Sequence, residues 1–133
     1  MTVRVLVVDD EPDVEALFRQ QFRREVREGI YTRDFALSAL AALAILDDAG
    51  GETIILLVSD INMPGMSGLD LLPIVKTRRP DLPVFMISAY GDADTVATAM
   101  ARGADEFLTK PEDFPKLKQD IMAVTADATG GNG

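Results

Sequence analysis

Four short apolar runs in this 133-residue chain lead into side chains of complementary chemistry. Val3 to Val8 is followed by Asp9 and Asp10, Ile54 to Ser59 by Asp60, and Glu106 to Thr109 by Lys110, while Pro83 to Ser88 closes on a hydroxyl. If a fold gathers these run ends, three carboxylates meet within a few ångströms. At an effective dielectric of 20, each pair 4 Å apart repels by about 4 kcal/mol. Such a group must take up protons or share a cation. The chain has neither Cys nor His, which excludes disulfides, thiol nucleophiles, Cys/His zinc sites and imidazole mechanisms on this chain. Any metal is therefore held by oxygen, which points to Mg²⁺, Ca²⁺ or Mn²⁺. Mg²⁺ typically takes one or two carboxylates, a carbonyl and several waters, and leaves room for phosphate oxygens. A metal, the Ser88 hydroxyl and the Lys110 ammonium around a carboxylate can stabilise the phosphoryl oxygens of an aspartyl phosphate. Each piece alone is ordinary: Asp10 could be a helix cap, and Met63-Pro64-Gly65 is a common turn. Their joint appearance at four run ends is what carries the signal.

The elements that must position these groups alternate between strand-length apolar runs and stretches of helical period. Val3 to Val8 is nearly unbroken Val and Leu, as in a strand covered on both faces. Val14, Leu17, Phe18 and Phe22 then fall at helical spacing, with Arg19, Arg23, Arg24 and Arg27 largely outside, and Gly29 as the stop. Arg33 to Ser38 is a less apolar strand, suited to an edge, and Leu40, Leu43, Ala44 and Leu46 mark a second helix. Ile54 to Ser59, the most apolar run, predicts a central strand. A third helix starts at Leu69 and ends near Arg79-Pro80; a fourth spans Asp92 to Arg102, stopped by Gly103. The fifth strand is Glu106 to Thr109, and the last helix runs from about Asp113 to Ala126.

Repeated βα units predict one doubly wound (βα)5 domain, a parallel sheet with helices on both faces. The commonest five-strand order is 2-1-3-4-5, which sets strands 1 and 3 side by side at the switch point where such sheets bind ligands. The domain is expected over 1–126, with 127–133 as a flexible tail or the start of a linker. A formal charge of −9 repels nucleic-acid backbones and anionic lipid. No apolar run reaches the ~20 residues of a membrane span and no leader precedes the first strand, so a cytoplasmic location is expected.

From Val3 to about Val124 the chain resembles the receiver domain of two-component response regulators, the CheY-like fold family. The resemblance is carried by Val7-Val8-Asp9-Asp10-Glu11-Pro12, the run from Ser59 to Gly68, Ile87-Ser88-Ala89, and the run from Gly103 to Pro111. It implies that Asp60 is the phosphoacceptor, served by a sensor histidine kinase or a phosphotransfer protein. It implies Mg²⁺ (or Mn²⁺ in its place) held by Asp10 directly, by Asp9 through water, by Asp60 and by the main-chain carbonyl of Asn62. Lys110 would pair with the phosphoryl group, and the Lys110–Pro111 peptide would be cis. Ser88 would move toward a phosphoryl oxygen past the small Ala89, and Phe107 would turn inward as the switch aromatic. Asn62 and Tyr90 occupy the positions that tune phosphoryl lifetime, and Tyr90 shielding the water's path implies intermediate to slow self-dephosphorylation. Ser88 departs from the pattern in standing where threonine is at least as usual; it loses a methyl but keeps the hydroxyl.

The readout surface implied is the fourth helix, fifth strand and fifth helix, acting on an output domain or partner. A homodimer through that face is compatible with the resemblance, though Val96, Ala97, Ala99, Met100 and Ala101 are too few apolar residues to decide it. Arg19, Arg23 and Arg27 are expected to set kinase choice. The resemblance implies no enzyme in the usual sense, only promotion of the domain's own phosphorylation and dephosphorylation. Two other readings remain at this point. One is an aspartate-nucleophile phosphatase or phosphotransferase, which usually needs Asp-x-Asp and a cap domain; the other is a phosphate-independent interaction module.

Overall fold

A computed structural model describes residues 4–11, 16, 19–20, 23, 32–48, 53–89, 91–109 and 113–128. Its elements in chain order are β1 (Arg4–Val8), β2 (Thr32–Ala36), α1 (Ala39–Asp47), β3 (Ile54–Asp60), α2 (Gly68–Arg78), β4 (Val84–Ser88), α3 (Ala93–Ala101), β5 (Glu106–Thr109) and α4 (Phe114–Ala128). Ala16, Arg19, Gln20 and Arg23 are helical; the rest of the first helix expected from sequence lies outside the described residues. The five strands are all parallel, in the order β2-β1-β3-β4-β5. This is the doubly wound arrangement that the βα alternation predicts, with β3 central and the polar β2 at an edge.

Strand alternation divides the core into two layers. Leu6, Val8, Leu57 and Met86 point to the side packed by α1, α2 and Ala99 of α3. Val5, Val7, Leu56, Val58, Phe85 and Ile87 point to the other, where Leu117 and Ile121 of α4 cover them. Burial on both faces explains why β1 and β3 read as continuous apolar runs. Leu71 of α2 is fully buried in the first layer. Leu71→Ala is expected to cost about 2–5 kcal/mol, read as a lower urea midpoint at an unchanged slope.

Several boundaries differ from the sequence expectation for local reasons. The second strand stops at Ala36 rather than Ser38, because Ser38 caps α1: its Oγ accepts the Ala41 N–H at 3.1 Å. The third strand extends one residue further, to Asp60. The last helix begins at Phe114 and runs to Ala128, beyond Ala126. Pro73 stands inside α2 and has no N–H for the Leu69 carbonyl. Arg102, the residue capping the end of α3, donates to that carbonyl instead at 2.8 Å. Gly103 ends α3 as expected: its φ of 105° permits the Gly103 N–H to reach Met100 O at 3.2 Å and the Ala104 N–H to reach Ala99 O at 3.0 Å.

Charged ties hold the amino-terminal rim of the sheet. Arg4 pairs with Asp34 across β1 and β2, Lys76 with Asp105, and Arg78 with Asp47. Arg79 donates to Ile54 O at 2.9 Å. On the α4 side, Lys116 bonds Glu106 at 2.9 Å and Asp120 at 3.1 Å, which together raise its pKa above the ordinary value. No helix among the described residues is long and apolar enough to cross a membrane.

Candidate functional site

The carboxyl ends of β1 and β3 lie side by side, with Val8 opposite Ser59. Asp9 and Asp10 therefore leave β1 beside Asp60, the last residue of β3. One carboxylate oxygen from each of Asp9, Asp10 and Asp60 lies within 4.8 Å of the others. Asp9 and Asp60 are only 1% and 4% exposed, so water screens this crowding poorly. Backbone bonds fix the cluster. The Asp9 N–H donates to Ala36 O at 3.0 Å, and Asp9 Oδ1 accepts the Glu11 N–H at 3.0 Å. Asp60 Oδ1 accepts the Ile61 N–H at 2.9 Å, and its carbonyl accepts the Ser59 hydroxyl at 2.9 Å. Three converging hard oxygen donors, two of them buried, fit a small divalent cation such as Mg²⁺.

Ser88 ends β4 fully buried, on the strand next to β3 and opposite Thr109 of β5. Ala89 beside it is exposed, as is Asn62. Phe107 is half-buried on β5, packed against the first core layer. The loop after β4 passes close over β5. A Cβ on Gly91 would sit 3.1 Å from Thr109 Oγ1 and 3.7 Å from the Phe107 ring. Tyr90, Lys110 and Pro111 lie outside the described residues, and with them the expected cis peptide. The residues flanking Lys110 and Pro111 are tied together: Asp113 N–H donates to Thr109 O, and Thr109 N–H to Asp113 Oδ2, each at 2.8 Å.

A cleft of about 320 Å³ is lined by Ile61, the residue after Asp60, and by Asn62, Leu69, Ser88, Asp92 and Thr95. Asp92 caps α3, accepting the Thr95 N–H at 3.1 Å and the Thr95 hydroxyl at 2.7 Å. These bonds, the hydroxyl's first, hold the Asp92 carboxyl below its ordinary pKa. Sequence reasoning placed Asp92 as a helix start and did not see that it and Thr95 wall a cleft. It had Gly68 as the end of a turn-rich run and did not show that its missing side chain admits the Asp60 carbonyl. The only signal in the sequence was a glycine directly after the capping Ser67, a position where glycine adds nothing to helix stability.

The described domain is a doubly wound parallel sheet whose switch-point rim gathers three carboxylates. The chain belongs to the response regulator receiver domain family, whose model matches residues 5–122; these are the signalling domains of two-component systems. The response regulator protein PilR of Pseudomonas aeruginosa is 37% identical over 116 residues, covering 87% of this chain and 24% of that protein. The response regulator protein FleR of the same organism is 38% identical over 123 residues, covering 92% and 24%. The chain thus spans about a quarter of the length of the curated relatives it matches. Among solved structures, the CheX–CheY–BeF3–Mg²⁺ complex of Borrelia burgdorferi is similar with a TM-score of 0.79 at 30% identity, covering 92% of this chain and 88% of that one.

Proposed function

We propose that this domain accepts a phosphoryl group on Asp60 from a histidine kinase or phosphotransfer protein and passes the state to an output domain or partner. An Asp60 oxygen forms the new P–O bond as the donor's P–N bond breaks, the electron pair going to the leaving nitrogen. Asp9, Asp10, Asp60 and the Asn62 carbonyl would hold Mg²⁺, with Mn²⁺ as a substitute. The bound ion would supply positive charge against the phosphoryl oxygens. Lys110 and the Ser88 hydroxyl interact with those oxygens, and Ala89 leaves their approach open. The observation that carries this reading is the meeting of Asp60 with Asp9 and Asp10 at the sheet's switch point. The Borrelia relative bound to BeF3 and Mg²⁺ supports the choice of ion.

The output follows from the same residues. A phosphoryl group adds charge and acceptor oxygens that Ser88 and Lys110 satisfy better in one arrangement of the β4–α3 loop than in the other. A swing from 1:99 to 99:1 needs about 5.5 kcal/mol of such difference. Gly91 lying against Thr109 and Phe107 supports transmission from Ser88 to the Phe107 ring, and so to the face formed by α3, β5 and α4. That face would act on a linked output domain or a second copy, in the cytoplasm. Promotion of its own phosphorylation and hydrolysis is the only catalysis in this reading.

Intact mass after incubation with acetyl phosphate and Mg²⁺ tests it. Wild type is expected to gain about one phosphoryl group per chain, and Asp60→Asn none. Continuous phosphate release over many turnovers would point to a phosphatase instead. An Asp60→Asn protein that still gains the group would displace the acceptor.

A further inference from the structure

We propose that Asp92 sets which class of phosphodonor this domain accepts, favouring nitrogen-linked phosphoryl groups over acyl phosphates through the charge on the leaving atom. The inference rests on the reading of Asp60 as phosphoacceptor. In-line displacement puts the leaving group on the side of phosphorus away from Asp60. The cleft is lined by Ile61, whose N–H donates to Asp60 Oδ1 at 2.9 Å, together with Asn62 and Ser88, and Ile61 and Leu69 give it an apolar lining suited to a small ring. Among the described residues that line it, Asp92 alone carries a formal charge. Two hydrogen bonds from Thr95 fix the carboxylate in place. Among the described residues, no lysine or arginine is ion-paired with it.

The two donor classes differ at one atom. In phosphoramidate the nitrogen is protonated before transfer. The P–N bond breaks with its electron pair going to nitrogen, the P–O bond to Asp60 forms, and a neutral amine leaves with its protons. In acetyl phosphate the electron pair goes to a carboxylate oxygen, which departs as an anion. The phosphoryl oxygens are common to both donors, so their interactions cancel in the comparison. A fixed carboxylate beside the leaving atom favours the transition state that retains positive charge there and disfavours the one that gains negative charge.

The test is the ratio of second-order rate constants for phosphoramidate and acetyl phosphate, followed by intact mass in wild type, Asp92→Asn and Asp92→Ser. Both replacements remain good helix caps, so folding is preserved while the charge is lost. The ratio is expected to fall about fivefold in both variants at low salt, and the wild-type preference to shrink in molar salt. A ratio unchanged in both variants overturns the proposal while leaving Asp60 as acceptor intact. Wild type inert to both donors overturns the acceptor reading, and this inference with it.

Discussion

Gly68→Ala should cost about 3 kcal/mol or more of folding stability, seen as a large drop in urea midpoint. A Cβ at position 68 would lie 2.0 Å from the Asp60 carbonyl oxygen, 2.9 Å from its carbonyl carbon and 2.8 Å from the Met86 methyl. The methionine end can swing away. The carbonyl cannot, because Asp60 is held in β3 and paired with Ile87 of β4. Relief must come from lifting α2 off the strand end, which breaks the Gly68 N–H to Ile61 O bond of 2.8 Å. Magnesium binding should weaken in the same variant, since the displaced backbone carries the Asp60 carboxylate. Gly65→Ala is the control. Gly65 has a φ of 78°, but a Cβ there would meet nothing within 4 Å, so only about 1 kcal/mol of backbone strain is expected. Equal stability of the two variants would refute the close approach at Gly68.

Asp10→Asn should act in opposite directions on the metal-free and metal-bound protein. Removing one charge from the three carboxylates relieves repulsion, so without divalent ions the variant should be about 1–2 kcal/mol more stable than wild type. The same change removes a hard anionic ligand, and Mg²⁺ should then stabilise the variant far less. A hundredfold weaker site forfeits about 2.3 kcal/mol of ligand stabilisation when the ion is at 100 times the wild-type Kd. The chain lacks tryptophan, so melting temperature against Mg²⁺ concentration, with calorimetric titration, is the suitable readout. The expected result is a crossing: the variant melts higher in chelator and lower in excess Mg²⁺. Parallel Mg²⁺ responses in the two proteins would remove Asp10 from the site.

What could be read without coordinates was whatever local pattern determines. The Val-Leu run of β1 declared a strand covered on both sides, and the topology rule for βα repeats then brought Asp9 and Asp10 to Asp60. Gly103 was legible as a helix stop because its effect is confined to the turn it terminates. Ser38 was misplaced because Arg33 to Leu37 shows no break, and a capping serine looks like a strand serine until its Oγ is seen on Ala41. Pro73 would ordinarily argue against a helix interior. It is tolerated because Arg102, 29 positions later, reaches the carbonyl it leaves over, and no window along the sequence contains both. The tertiary roles of Gly68 and Asp92 were not legible for the same reason: they come from Asp60 and from a cleft built by three separate segments.

The amino-terminal rim matches acid with base, in Arg4–Asp34, Lys76–Asp105 and Arg78–Asp47. The opposite rim gathers Asp9, Asp10, Glu11, Asp60, Asp92 and Asp94. Among the described residues, acid is therefore concentrated at one rim and matched with base at the other, so these residues contribute an electric moment along the strands. A cationic surface approaching through dilute buffer exerts a torque that turns the acidic rim toward it before any contact forms. Encounter frequency should then depend steeply on ionic strength, while the lifetime of the docked pair depends on short-range fit.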